Sequence, residues 1–147
     1  MMLATAESCT GGGIAQALTD ISGSSAWFER GFVTYANAAK VEMLGVRQST
    51  LDAHGAVSEA TVREMAAGAL QHSHAHISVA VSGVAGPTGG TPEKPVGTVW
   101  FGWAMHGGEV HARLHHLPGD RAAVREQSVQ IALQGVLNML NSSTKIA

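Results

Sequence analysis

Cysteine occurs once in this sequence, at Cys9, which excludes an intramolecular disulfide and fits a reducing compartment. Charged residues are scarce at 14%, the net charge is only -2, and no basic run occurs. Neither nucleic acid nor an anionic membrane surface is therefore an expected partner. Long apolar runs are missing as well. Nothing approaches the roughly 18 consecutive apolar residues that cross a bilayer. The opening MMLATAES has neither the charged region nor the apolar length of a signal peptide. A cytoplasmic location is the expectation.

What is present is apolar. Hydrophobic residues make up 45% of 147 positions, enough for one well-buried core, and no linker or internal repeat divides the chain. A single domain over 1–147 is expected. Residues 2–7 read as a strand ending at Ser8. Three glycines then open a helix whose apolar positions Ile14, Ala17, Leu18 and Ile21 follow helical spacing. A second strand is expected at 30–35, a short helix at 37–44 stopped by Gly45, and a helix at 59–72 capped by Ser58. The apolar run 76–83 reads as a central strand, 86–95 as a Gly- and Pro-rich loop, and 96–105 with 109–117 as an antiparallel hairpin. Asp120 should cap a last helix over 121–140, with Val129, Leu133, Val136 and Leu140 facing inward and the tail NSSTKIA frayed. Strands alternating with helices predict an α/β fold, a three-layer α/β/α sandwich on a mixed, mostly parallel sheet.

Four segments carry groups with chemistry. TAESCTGGG (5–13) sets two nucleophile types, Ser8 and Cys9, at a strand-to-helix junction. Backbone N–H groups at such a junction can hold a phosphate or stabilise an oxyanion, and glycines let a ligand approach. An ordinary glycine-rich turn with a capping serine fits the same residues. The glycines are contiguous and no Gly-Lys-Ser/Thr follows, so neither the dinucleotide fingerprint nor a P-loop applies.

GFVTYANAAK (31–40) places Tyr35 and Asn37 at a strand exit and Lys40 on the next helix. A lysine acts as a general base only if its surroundings lower its pKa from about 10.4 toward about 7–8; otherwise it is a solvated surface cation. VSGVAGPTGG (81–90) runs from a buried strand into a loop at its carboxyl end, where open α/β sheets bind ligands. PGDR (118–121) puts Asp120 and Arg121 at a helix start, where the arginine can clamp an anion or simply face solvent.

The eight histidines do not form a ligand set. His72, His74 and His76 straddle a helix end and a strand start, while His115 and His116 are neighbours that a strand points to opposite faces. No metal is expected.

Taken together, AESCTGG, GSSAWFERGFVTYANAAK, LGV, HGAVSE, VSGVAGPTGG, KPVGTVWFG and GDR occur in the order found in the C-terminal domain of the competence-damage protein CinA. The sequence resembles that family from about Leu3 to Leu140. The resemblance implies hydrolysis of the carboxamide of nicotinamide mononucleotide to nicotinate mononucleotide and ammonia, without metal or cofactor. It makes Ser8 the nucleophile, with Tyr35 and Lys40 activating it. It implies a substrate site drawn from Thr10, Gly11, Gly12, Asn37, Ser82, Gly83, Ala85, Gly86 and Arg121, and a homo-oligomer, a dimer in the first instance. Relatives carry roughly one helix ahead of the first strand that this sequence does not show. A non-catalytic nucleotide-binding or regulatory module is the alternative, and joint retention of Ser8, Tyr35 and Lys40 favours the enzyme.

Overall fold

The computed structural model describes residues 1–146, with side chains through Ser142. The chain runs β1 (Leu3–Glu7), α1 (Gly13–Thr19), a 3-10 turn (Ser24–Ala26), β2 (Phe28–Val33), α2 (Asn37–Leu44), α3 (Gln48–His54) and α4 (Glu59–Gln71). It continues through β3 (Ile77–Gly83), β4 (Thr98–Met105), β5 (Val110–His116) and α5 (Arg121–Ile146). The strands form one sheet in the order β2-β1-β3-β4-β5. β1 pairs in parallel with β2 and β3, whereas β4 is antiparallel to both of its neighbours. The sheet is mixed as expected. Its parallel character lies in strand direction, four of five pointing the same way, since the four pairings divide evenly between the two kinds.

Alternation along the strands builds two cores. Leu3 of β1, Val79 and Val81 of β3, and Phe101 and Trp103 of β4 face Ile14 and Leu18 of α1 and Val124, Ala132 and Val136 of α5. On the opposite face Ala6, Phe32, Ala80 and Ala104 meet Leu44, Leu51, Val62 and Met65, contributed by α2, α3 and α4. This is the three-layer sandwich. Each fully buried Val, Leu, Ile, Phe or Met side chain among them contributes about 1.5–3 kcal/mol, so the two cores dominate the favourable side of folding. Trp103 Nε1 donates to the Ala132 carbonyl and Ser78 Oγ to that of Ala66, whereas the buried Thr5 hydroxyl on β1 has no partner among the described residues.

Several boundaries move from those the sequence suggests. The first helix stops at Thr19, whose hydroxyl donates back to Ala15 and Gln16 carbonyls, and this leaves Ile21 outside the core at 57% exposure. The second strand lies at 28–33 instead of 30–35. It is an edge strand whose ladder ends where β1 ends, Val33 opposite Glu7, and Tyr35 falls beyond it. α3 has no counterpart in the sequence reading, because seven residues with two buried positions carry too little pattern. On α5 the most buried line is Val124, Ser128, Ala132 and Val136; of the expected stripe Val136 lies on it, while Val129, Leu133 and Leu140 flank it, half-buried. The helix also continues through the tail to Ile146 rather than fraying at Asn141, and Ala147 lies outside the described residues. Asp120 caps it as expected, its side chain accepting from Ala123 N–H at 2.9 Å.

The parallel pairing of β1, β2 and β3 brings their carboxyl ends to one edge of the sheet. β4 enters and β5 leaves at that same edge, with Gly83 opposite Val99 and Thr98 opposite His116. Ser8, the Thr34–Lys40 segment, the loop after Gly83 and the start of α5 therefore converge.

Candidate active site

Ser8 continues the β1 ladder by one bond, its N–H donating to the Val81 carbonyl at 3.1 Å. The chain then turns through Gly11 (φ 59°) and Gly12 (φ 103°), left-handed conformations that a side chain would strain, before α1 begins. Lys40 lies in the first turns of α2, buried to 1% exposure, with Nζ 3.2 Å from Ser8 Oγ. The same nitrogen donates to the Thr34 carbonyl at 3.0 Å and the Tyr35 carbonyl at 3.3 Å.

These partners fix the chemistry of the amine. A carbonyl only accepts, so two hydrogens of Lys40 are committed to Thr34 and Tyr35. The third position faces Ser8. As an ammonium, Lys40 donates there; as a neutral amine, it presents its lone pair to the serine hydroxyl. Burial holds the Lys40 ammonium below the usual lysine range, with the neighbouring Cys9 opposing. No carboxylate restores the charge, because the Glu7 side chain lies on the other face of the sheet, against α1. Ser8 and Lys40 thus form a nucleophile–base pair in a desolvated site.

Cys9 is chemically distinct from its neighbour. Burial pushes its thiol up to about 11, against the opposing pull of its own N–H, the Gly83 N–H and the Arg125 charge. A thiol in that range is almost wholly protonated near neutral pH and is a poor nucleophile.

Glu7, which the sequence reading passed over, is fully buried. Its carboxylate accepts from Thr10 Oγ1 at 2.5 Å and from the Ile14 and Ala15 N–H groups at 2.9 and 3.0 Å. It therefore occupies the positive end of α1, which is not an open anion site. Gly11 N–H is also committed, to the Ser8 carbonyl. The expected phosphate cradle at Gly11 and Gly12 is reduced accordingly. Arg125 was likewise missed. From α5 its guanidinium donates to the Cys9 carbonyl at 3.1 Å and the Thr10 carbonyl at 3.3 Å. The signals were a carboxylate just before a helix start and an arginine one turn after Arg121.

The remaining expected residues divide. Tyr35 reaches Lys40 only through its backbone carbonyl; its side chain is 63% exposed and its hydroxyl accepts from Arg121 at 3.3 Å. Arg121 also donates to the Gly86 carbonyl at 2.9 Å, and the two bonds tie β2's exit to the loop after β3. Ser82 is buried with its hydroxyl donating to Ala56, so its side chain serves the fold, not a ligand. Gly83 lies tight against Val99. Asn37 is exposed at the start of α2. Ala85 and Arg121, with Pro87, Val96, Asp120 and Ala122, line a cleft of about 450 Å³ beside the Gly86 carbonyl. A larger groove, between β5 and α5, contains none of these groups. No cluster of three potential metal ligands occurs among the described residues.

The family model for the CinA C-terminal domain matches residues 1–140. Over 130 residues the chain is 61% identical to the nicotinamide-nucleotide amidohydrolase PncC of Escherichia coli strain K12, covering 88% of this chain and 79% of that protein. Over 135 residues it is 55% identical to the protein of the same name from Pseudomonas putida, covering 92% and 84%. Among solved structures, a competence/damage inducible protein from Agrobacterium tumefaciens superposes with a TM-score of 0.91 at 49% identity, covering 94% of this chain and 84% of the other. A CinA superfamily protein from Klebsiella pneumoniae gives 0.92 at 42% identity, covering 96% and 88%.

Proposed function

The chain belongs to the CinA C-terminal domain family, and on that footing we propose that it hydrolyses the carboxamide of nicotinamide mononucleotide, releasing ammonia and nicotinate mononucleotide. The observation that carries the reading is the buried Lys40 Nζ held 3.2 Å from Ser8 Oγ with its other hydrogens bonded to carbonyls. A binding module has no use for a desolvated amine aimed at a serine hydroxyl.

The steps follow from that pair. Ser8 Oγ attacks the carboxamide carbon while its proton passes to neutral Lys40, and the carbonyl electron pair moves to oxygen. As the tetrahedral intermediate collapses, Lys40 gives the proton to the departing nitrogen, which leaves as ammonia, and an ester to Ser8 remains. Water then attacks the ester carbon. Lys40 accepts the water's proton and returns it to Ser8 Oγ, and the acid product is released. One group serves as base and acid in turn, and no metal is needed.

Tyr35 acts in this scheme by orienting Lys40 through its carbonyl and by closing the outer edge of the site with Arg121. Arg121 bonds to two neutral oxygens and has no carboxylate partner among the described residues, so its charge remains available for the substrate phosphate. Ala85 and Gly86 shape the cleft for the nucleotide. Residues 1–147 act as one catalytic domain, cytoplasmic and homodimeric in this proposal. No helix among the described residues is long and apolar enough to cross a membrane.

The test is incubation of the purified protein with nicotinamide mononucleotide, with ammonia measured by a coupled assay and the nucleotide product identified by mass. Stoichiometric ammonia and nicotinate mononucleotide are expected. Binding of the nucleotide without turnover would reduce the chain to a binding module.

A further inference from the structure

Thr10 is buried to 1% exposure and nearly all of its polar groups are committed. Its hydroxyl donates to Glu7, and its carbonyl accepts from Gly13 N–H at 2.9 Å and from Arg125 at 3.3 Å. Its N–H meets no acceptor among the described residues. A buried N–H without a partner is rare in native proteins, costing about 1–3 kcal/mol, and beside a nucleophile it points to a ligand oxygen.

The direction of that N–H follows from Arg125. The Cys9–Thr10 peptide is trans, so its carbonyl and its N–H point to opposite sides. Arg125 reaches the Cys9 carbonyl from α5, on the α1/α5 face of the sheet. The Thr10 N–H is thereby turned toward the other face, where Ser8 Oγ and Lys40 stand.

We infer that Arg125 is a positioning residue that holds the Cys9–Thr10 peptide so that the Thr10 N–H serves as an oxyanion donor for the intermediate formed on Ser8. Arg125 touches neither substrate nor reacting atoms in this role. A donor fixed before reaction is worth most where water is excluded, and loss of one such donor lowers kcat by about 10²–10³-fold. The inference rests on the amidase reading for its reaction but not for its geometry.

The experiment compares wild type, Arg125→Ala and Arg125→Lys for kcat, KM and the pH profile of ammonia release, with and without added methylguanidinium. Arg125→Ala should lose about 10²-fold in kcat with KM little changed. Its pH midpoint should stay that of wild type, because Lys40 is untouched. Methylguanidinium should restore part of the lost rate, and Arg125→Lys, which keeps one donor, should fall between. A raised KM with normal kcat would assign the guanidinium to the substrate instead and overturn the inference. So would a loss that tracks melting temperature in both variants without rescue. Labelling of Ser8 by a fluorophosphonate, followed by intact mass, separates the two claims. If wild type releases no ammonia from nicotinamide mononucleotide, the reaction assignment fails. Arg125→Ala should still slow labelling, since the phosphoryl oxygen needs the same donor. Unchanged labelling in that variant, or a wild-type Ser8 that resists the probe, would overturn the inference.

Discussion

Lys40 Nζ stands 3.2 Å from Ser8 Oγ and hands its other hydrogens to the carbonyls of Thr34 and Tyr35, so the direction left for its lone pair is the serine hydroxyl. Two neighbouring elements make this possible. β1 ends at Glu7 and delivers Ser8 to the sheet edge, and α2 begins three residues before Lys40 and carries it under that edge.

The first prediction concerns the charge on residue 40. A guanidinium stays protonated and cannot accept a proton from serine, so Lys40→Arg should be as inactive as Lys40→Ala. Wild-type activity should rise with pH through a midpoint below the ordinary lysine value, in line with the lowered pKa of Lys40. Steady-state rates of ammonia release between pH 6 and 10 check both points. Near-normal turnover by Lys40→Arg would mean that only positive charge is required.

Stability should carry the opposite mark of the same group. With its folded pKa lowered, Lys40 binds a proton less readily in the native than in the unfolded chain. The unfolded state therefore binds more protons between the folded pKa and the ordinary lysine value, and stability rises with pH across that window. Lys40→Met lacks this dependence. Wild type should gain on the variant as pH increases from 7 toward 10, read as the difference between their urea midpoints. A constant difference would mean that burial does not shift the amine.

Cys9 should be dispensable for chemistry. With its thiol pushed up to about 11 it is protonated at working pH, so Cys9→Ala should keep most of the activity while Ser8→Ala loses it. Loss of packing from a buried thiol is expected to cost stability rather than turnover, which melting curves beside kcat would separate. A dead Cys9→Ala with an active Ser8→Ala would reverse the nucleophile assignment.

Much of this was legible from residue order alone, because strand exits and helix starts are local. The β1 strand, the α2 helix with its Gly45 stop, the Ser58 cap and the hairpin of β4 and β5 are set by neighbours a few positions apart. What could not be read was direction across the fold. Arg125 reaches the nucleophile turn from 116 positions away, and no spacing rule connects them. Tyr35 is expected to activate Ser8 together with Lys40, yet its position beyond the edge strand turns the ring outward to Arg121 and leaves only its carbonyl on the amine. Ser82 lies in a ligand-facing loop motif, but strand alternation sends its hydroxyl to Ala56. Glu7 took the helix end that three glycines had suggested for a phosphate.

Gly68 supplies a packing test of the site's support. A Cβ there would overlap the Leu44 carbonyl at the end of α2, the helix that carries Lys40. Alanine ordinarily favours a helix over glycine by about 1 kcal/mol. Overpacking costs about 1–3 kcal/mol, more when the neighbour is backbone, so the overlap should win. Gly68→Ala should lower the unfolding free energy by that order and reduce kcat more than KM by displacing Lys40. A stabilised, fully active variant would show that α2 can move without consequence.

The most direct measurement is of the covalent intermediate itself. Wild type mixed with excess nicotinamide mononucleotide, quenched in acid within milliseconds and digested, should yield the peptide containing Ser8 with the mass of the nucleotide acyl group attached through Oγ. Ser8→Ala should give no such adduct, and Lys40→Arg should give far less than wild type at the same time point. An adduct on Cys9, or steady ammonia release with Ser8 never modified, would contradict the central claim that Ser8 is the nucleophile and Lys40 its base.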